Sequence, residues 1–449
     1  MKRPMLVWLL FLGLGFAIPA PRTGWTGRGG GTAHPGSEAI PPTLFGMEVH
    51  IRPQPVPWPA VPIGSIRLSD NLISWAQINK SDGNYDWRQL DEKLADLKAH
   101  DIDDVLYTFR LTPSWASSKP TDNCARGAAS GLVGLAAMPG ECDPPADLNP
   151  DGTGADKHWK DFVGAIALHN KNSSKTAHIT YWEIWNEPHN DFFWTGTFDQ
   201  MMRMARDASA VIKSINPDAV ILSPSVGLDV GKSVKWITGY LSAGGGDYAD
   251  IIAFHGYVHS GRLGIYPSAT DLVSRLNSFR NILAKYGQSS KTLWDTEASW
   301  GNAKGMGFED EDSQAAFLAQ FYLLHWSQGI PRLYWYAWND GLVGTLWVPD
   351  PTNPSDPGRL TKAAIAYKQL FNWLRGSTMT ERCSQKGSLW ICGLSEADGH
   401  TAQIVWASRE EENYSPNALP MKMRDLDGNV STVSAGIKVN TKPVLLEFP

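Results

Sequence analysis

Glu187 stands between an amide and a proline in YWEIWNEP (181–188), and Glu297 closes KTLWDTE (291–297). Two carboxyl groups drawn from distant parts of a chain can divide one task. One, held protonated, donates to a leaving oxygen. The other, held ionised, meets the positive charge that develops at carbon. That is the requirement of glycosidic-bond cleavage, and it needs both groups on one rim. Polar and aromatic residues of a suitable kind stand in comparable places: Arg67 in IGSIRLS (63–69), Asn186 beside Glu187, His255 and Tyr257 in DIIAFHGY (250–257), and Trp338 closing RLYWYAW (332–338).

The positioning elements can be read from the same stretches. Tyr181 to Trp185 is aromatic and branched, as a buried strand is, and Pro188 cannot extend a ladder. Similar short apolar segments occur at 45–50, 63–69, 103–109, 179–185, 219–225, 250–257, 291–297 and 332–338. Amphipathic runs lie between most of them, at 85–100, 158–171, 198–215, 231–243, 271–287, 313–329 and 361–376. In the first run Trp87, Leu90, Leu94 and Leu97 recur at helical spacing and form one apolar face. This alternation predicts an α/β fold, a (β/α)8 TIM barrel over 43–376. An open doubly wound sheet is the rival, but no G-x-G-x-x-G follows the first strand. In such a barrel the C-terminal strand ends form the site, so Glu187 and Glu297 meet from strands four and seven.

After Gly376 the helical period stops. Short strands separated by Gly, Asp and Asn predict a small C-terminal β-sandwich over 377–449, with a strand borrowed from before residue 45. At the other end, Lys2 and Arg3 precede an apolar run from Met5 to Ile18, with Ala17 and Ala20 near its close. Residues 1–20 read as a secretory signal peptide; an uncleaved anchor is the alternative, but the run is short for a span. Residues 21–42 read as a flexible lead-in. The expected location is secreted or periplasmic, with no membrane contact after cleavage.

The formal charge of −6 gives no sign of a nucleic-acid partner. Four cysteines in an exported chain favour disulfides, and no zinc spacing is present. Proximity selects Cys124–Cys142 and Cys383–Cys392 from the three possible pairings. Twenty tryptophans serve equally as core or as platforms for sugar rings.

W-N-E-P on a fourth strand with a second Glu closing WDTEASWG resembles clan A of the glycoside hydrolases. Within it the chain resembles family 39 and related β-glycosidases, through residues 66–91, 106–117, 182–188, 254–259, 334–347 and 443–448. The resemblance covers about 45–449. It implies a secreted retaining β-glycosidase, β-xylosidase-like or endo-acting, with a carbohydrate substrate. Glu187 would be acid and then base, and Glu297 the nucleophile, about 5–5.5 Å apart. Asn186 would bond the sugar 2-hydroxyl. Tyr257 and Arg67 would keep Glu297 ionised, and His255 would orient the sugar or the acid. Trp338 would floor the sugar subsite. Carboxyl chemistry suffices, so neither a metal nor an organic cofactor is expected. A transglycosylase of the same mechanism and a non-catalytic glycan-binding protein are the alternatives.

Structural readings of the same residues stay open. Arg67 could instead pair with Glu183 or Asp295 inside the barrel. Those two share strand parity with the catalytic pair and would point inward one layer lower. His255 and Tyr257 could be satisfied core groups. Trp335 rivals Trp338, and Trp115, His189, Trp194 and Trp300 are further candidates for subsite walls. Residues 118–152 form a long irregular insertion that would wall off or extend the cleft.

Overall fold

The computed structural model describes residues 38–51, 56–124, 138–228, 231–258, 267–301, 310–350, 352–353, 357–433 and 436–449. The expected signal peptide and most of the lead-in lie outside them. No helix among the described residues is long and apolar enough to cross a membrane.

Eight parallel strands form a ring: β1 Phe45–Glu48, β2 Ser65–Leu68, β3 Val105–Thr108, β4 Tyr181–Glu183, β5 Val220–Leu222, β6 Ile251–His255, β7 Thr292–Ala298 and β8 Leu333–Trp335. Each pairs with the next, β8 returns to β1, and the β6–β7 and β7–β8 pairings complete the closure. The strands are buried on both faces, which is why they read as nearly continuous apolar runs. Outward residues such as Met47, Ile66, Tyr107 and Trp182 join the helix-lined core. Inward residues, among them Leu106, Tyr181, Leu222, Ala253, Trp294 and Tyr334, form a separate cluster that fills the barrel. Gly46 lets that filling close, because a Cβ there would lie 2.6 Å from the Tyr334 ring.

Helices α1 Arg88–Ala99, α2 Lys157–Asn172, α3 Phe198–Ile215, α4 Lys232–Ser242, α5 Asp271–Lys285, α6 Glu311–Ser327 and α7 Lys362–Leu374 follow β2 to β8 in turn. The first connection differs: among the described residues between β1 and β2 there is no helix. Pro57, Pro59 and Pro62 deny that segment the backbone donors a helix needs. The other helices have local reasons to start where they do. Thr197 and Gln200 form a reciprocal capping box at α3, and Asp310 and Thr361 cap α6 and α7.

Beyond α7 lie β9 Thr378–Lys386, β10 Leu389–Ser395, β11 Thr401–Ala407, β12 Glu412–Tyr414, β13 Lys422–Arg424, β14 Val430–Ser431, β15 Ile437–Val439 and β16 Val444–Glu447. Six of these form one sheet, ordered β9-β10-β11-β16-β13-β14, and β12 and β15 form a two-stranded ribbon. Strand alternation gives the sheet two cores. Trp390, Cys392, Ile404, Trp406 and Leu445 join the main core. Val405, Ala407, Val444 and Leu446 pack with Tyr414, Ile437 and Val439 of the ribbon. The expected borrowed strand amounts to one bridge, Ala39 with Thr378. Both expected disulfides are formed: Cys124–Cys142 in the loop after β3, and Cys383–Cys392 between β9 and β10.

Candidate active site

Arg67 is the centre from which the mouth of the barrel is built. Its inward parity on β2 places a fully buried guanidinium on the barrel axis. Nη2 donates to Glu183 and to Asn186 Oδ1, each at 2.8 Å. Nη1 donates to Glu297 at 2.7 Å and to Glu48. Nε is shared between Thr108 and Glu183 at 3.1 Å. All five N–H groups are therefore engaged. Burial alone would lower the Arg67 pKa, but the surrounding carboxylates raise it well above its ordinary value. The two sequence readings of Arg67 merge, since it is at once an interior ion pair and a contact of Glu297.

Glu183 and Glu48 form the lower tier. Glu183 is fully buried and also accepts from Thr108 and Thr296, each at 2.6 Å. Asp295 does not join it, contrary to the parity argument. A bulge in β7 pairs Asp295 with Phe254 but Glu297 with His255, so the strand gains a residue between them. Glu297 reaches the mouth, whereas Asp295 bonds His325 of α6 at 2.7 Å and accepts from the Gly256 N–H at 2.9 Å.

The upper tier holds the reacting candidates. Past β4 the ladder becomes irregular, with Ile184 donating to Leu222 and Ser225 donating to Trp185. The strand is thus shorter than the expected 179–185. Glu187 then takes a left-handed backbone, φ 43°, which turns the chain and lifts its carboxyl. Its side chain is 20% exposed and that of Glu297 14%, whereas Arg67 and Glu183 are fully covered. His255 Nδ1 lies 2.8 Å from Glu187, and its Nε2 lies 3.9 Å from Glu297. The Tyr257 hydroxyl donates to Glu297 at 2.9 Å. One oxygen of Glu187, one of Glu297 and a nitrogen of His255 all lie within 4.8 Å of one another.

Electrostatics couples these groups. Burial by itself would raise the Glu187 pKa. The His255 hydrogen bond and charge, with His189 and Arg67, reverse this and hold it at about 2. Burial would lower His255, but Glu297 and the Glu187 hydrogen bond raise it above 6.5. Glu187 is therefore a carboxylate at rest, beside an imidazole whose hold on its proton is strengthened, with the two 2.8 Å apart. Burial and the Glu297 charge push Tyr257 well above its usual range, so its hydroxyl stays a donor. The Glu187–His255–Glu297 spacing is short enough for a divalent cation, but the fixed charge of Arg67 on Glu297 opposes one. The grouping of Cys124, Cys142 and Asp143 offers no thiolate, because both sulfurs are in a disulfide.

Six of the seven sequence-derived site residues thus meet at the mouth. Trp338 does not. It is fully buried in the main core, and Tyr336, two residues earlier, stands half-buried at the rim beside the His50 ring, where the Glu297 charge acts on its hydroxyl. Trp194 and Trp300 are also buried, against Trp185 and Trp335, so neither offers a face to the cleft. Trp115 is partly buried, bonded to the Asn79 carbonyl. Sequence reasoning missed Glu48, Tyr336 and Arg110. Glu48 was detectable as a charge on a buried strand, on the inward parity of Gly46.

No family model matches the chain. A β-xylosidase from Caldicellulosiruptor saccharolyticus is 25% identical over 76 residues, a match spanning 16% of this chain and 16% of that protein. Solved structures are similar over most of the chain. A family 39 glycoside hydrolase from Bacteroides cellulosilyticus has a TM-score of 0.62 at 17% identity, covering 92% of this chain and 82% of that one. A monomeric β-xylosidase from Caulobacter crescentus has a TM-score of 0.61 at 14% identity, covering 92% and 97%. Xylanase C of family 30 from Talaromyces cellulolyticus has a TM-score of 0.57 at 11% identity, covering 87% and 88%. At these identities the likeness establishes the shared barrel fold.

Proposed function

We propose that the chain is an exported glycosidase that cleaves β-linked O-glycosidic bonds of oligo- or polysaccharides with retention of configuration. One observation carries this reading: carboxylate oxygens of Glu187, just past β4, and Glu297, on β7, approach within 4.8 Å. That spacing suits a double displacement, for which the carboxyl groups lie about 5–5.5 Å apart. Inversion needs about 6.5–9.5 Å, to admit a water molecule. The similarity to structures described as β-xylosidases and xylanases supports the same class.

Glu297 attacks the anomeric carbon while Glu187 protonates the leaving oxygen. A proton from His255, whose Nδ1 lies 2.8 Å from Glu187, supplies the acid form of a carboxyl that is ionised at rest. A glycosyl ester then forms on Glu297, and Glu187, now a carboxylate, activates the water that releases the sugar. Tyr257 and Arg67 hold Glu297 in its attacking orientation, and Asn186, fixed by Arg67, faces the sugar 2-hydroxyl.

The test is product-anomer NMR on aryl β-glycosides and β-linked polysaccharides, with Glu297→Ala as control. Retained configuration, lost in the variant, is the expected result. Inverted product would remove the nucleophile role of Glu297. Binding without turnover of any substrate would favour a glycan-binding protein.

A further inference from the structure

The mouth holds a second arginine that this mechanism does not use. Arg110 lies two residues past β3, on the inward parity of Leu106 and Thr108. In the ring β3 stands opposite β7. Yet the groups acting most strongly on its charge, after burial and Arg67, are Glu297 on β7 and Tyr336 just past β8. The guanidinium therefore stands at the mouth, close enough for the Glu297 charge to bear on its own. It is braced there by Nη1 donating to the Ser69 carbonyl and by the Phe193 ring, 5.2 Å from the guanidinium carbon.

Neither brace neutralises it. Nε is shielded from solvent without an acceptor, and among the described residues the guanidinium forms no ion pair. The two buried arginines of the barrel interior are treated otherwise: Arg67 pairs with Glu48, Glu183 and Glu297, and Arg332 with Asp104. Arg110 is only partly exposed, and a cation held there without an ion pair is costly unless a partner arrives. Arg110 thus lines the same barrel mouth as Glu297, between Ser69 and Phe193.

We propose that the cleft takes an acidic glycan, with Arg110 binding the carboxylate of the uronosyl residue seated against Glu297. The planar fork of a guanidinium matches a carboxylate in shape and charge, whereas a neutral hydroxyl would leave the cation unbalanced. This inference rests on the glycosidase reading only for where the sugar sits. Balancing the acidic cluster from a distance would give Arg110 a purpose without any demand on the substrate. The two ideas differ in what the cleft prefers.

Matched pairs of methyl β-glycosides separate them: glucuronide against glucoside, galacturonide against galactoside, mannuronide against mannoside. Each is titrated by calorimetry into the full chain and into Arg110→Gln. At least one acid should bind about 10-fold or more tightly than its neutral twin, the scale of a charge-assisted hydrogen bond. That advantage should shrink below about 3-fold in Arg110→Gln. If the Gln variant does not fold, Arg110→Lys, which keeps the charge but loses the fork, should still weaken the preference. The proposal is overturned if no acid outbinds its twin, or if the preference survives loss of the guanidinium. Aryl versions of the same sugars report turnover in parallel. Acid preference in binding with no turnover would sink the hydrolase reading alone. Turnover confined to neutral glycosides would sink this one.

Discussion

At the foot of the barrel Arg332 donates to Asp104 and to the Tyr181 hydroxyl, and lies 4.3 Å from the centre of the Trp294 ring and 5.3 Å from that of Tyr181. At the mouth Arg67 meets three carboxylates, with Glu187 and His255 just above. Both arginines are buried, but the foot matches one cation with one carboxylate and seals the pair with aromatic rings. The mouth holds more negative groups than fixed positive ones, and protons make up part of the difference. Burial raises the Glu48 pKa against the pull of Arg67, and Glu297 adds to the rise. His255 is raised as well. The foot resembles a structural ion pair, and the mouth a store of protons beside two partly exposed carboxylates.

The largest effect that would sharpen this contrast is at Arg67. Arg67→Gln should leave Glu48, Glu183 and Glu297 facing one another without a cation. Stability should fall by about 3–5 kcal/mol, the cost of breaking a buried ion pair from one side. If the glycosidase reading holds, kcat should fall at least about 1000-fold, because Glu297 and Asn186 lose their common anchor. Denaturant melts and turnover of an aryl glycoside measure the two losses. A stable, active variant would break the comparison at its root.

His255 comes next. Its pKa is raised, so the proton it holds is present at low pH and lost as pH rises through a value above 6.5. Activity that draws on that proton should therefore fall on the alkaline side. His255→Gln keeps a donor toward Glu187 but cannot carry the proton. The alkaline limb should move down by about one pH unit or more, and kcat at neutral pH should fall about 10–100-fold. A pH–rate profile with an unmoved limb would take the proton store away from His255.

Much of the mouth was legible in the sequence, because each residue there has a chemical type and a place at a strand end. Glu187, Asn186, Tyr257, His255 and Glu297 needed only the strand order to be brought together. What escaped depended on geometry that residue types do not encode. In YWYAW (334–338) four of five residues are aromatic, and nothing in their types says which one meets solvent. The structure turns Tyr336 to the rim and buries Trp338. Asp295 shares parity with Glu297 on paper, and one bulged residue separates them. Arg110 lay within a stretch that supported the family resemblance. Its distinction is that, among the described residues, it forms no ion pair, and that depends on packing rather than residue type. The fold was read more completely than the site because its periods repeat, whereas between β1 and β2, where no helix lies among the described residues, prolines interrupt them.

A third buried cluster tests whether excess carboxylate always marks a reactive place. Asp156, fully buried at the start of α2, faces Asp207 and Asp147, with Arg203 beside Asp207. Burial, then the Asp207 charge, pushes its pKa to about 8. The folded chain thus holds a proton that the unfolded chain releases near 3.8, and stability should fall as pH rises between those values. Asn suits the left-handed backbone there, φ 48°, and stays neutral. The stability of Asp156→Asn relative to the parent should improve by about 1–3 kcal/mol from pH 5 to pH 9. Turnover should change little, since this cluster serves the fold. Parallel stability curves would mean that Asp156 is ionised throughout.

The smallest effect belongs at the foot, and it carries the converse of the Arg67 prediction. Arg332→Met alone strands Asp104 and should cost about 3 kcal/mol. Adding Asp104→Leu removes the stranded charge and lets methionine pack on Trp294 and Tyr181, where the guanidinium now lies. The double variant should return to within about 1 kcal/mol of the parent, as buried ion pairs replaced by apolar groups often do. Its kcat/KM should stay within about 3-fold, because the layer of Leu222, Ala253 and Trp294 separates it from the mouth. A double variant no more stable than the single would show that the foot depends on its charges as the mouth does. Recovery at the foot beside collapse at Arg67 would mean that one barrel uses the same residue for closure at one end and for proton chemistry at the other.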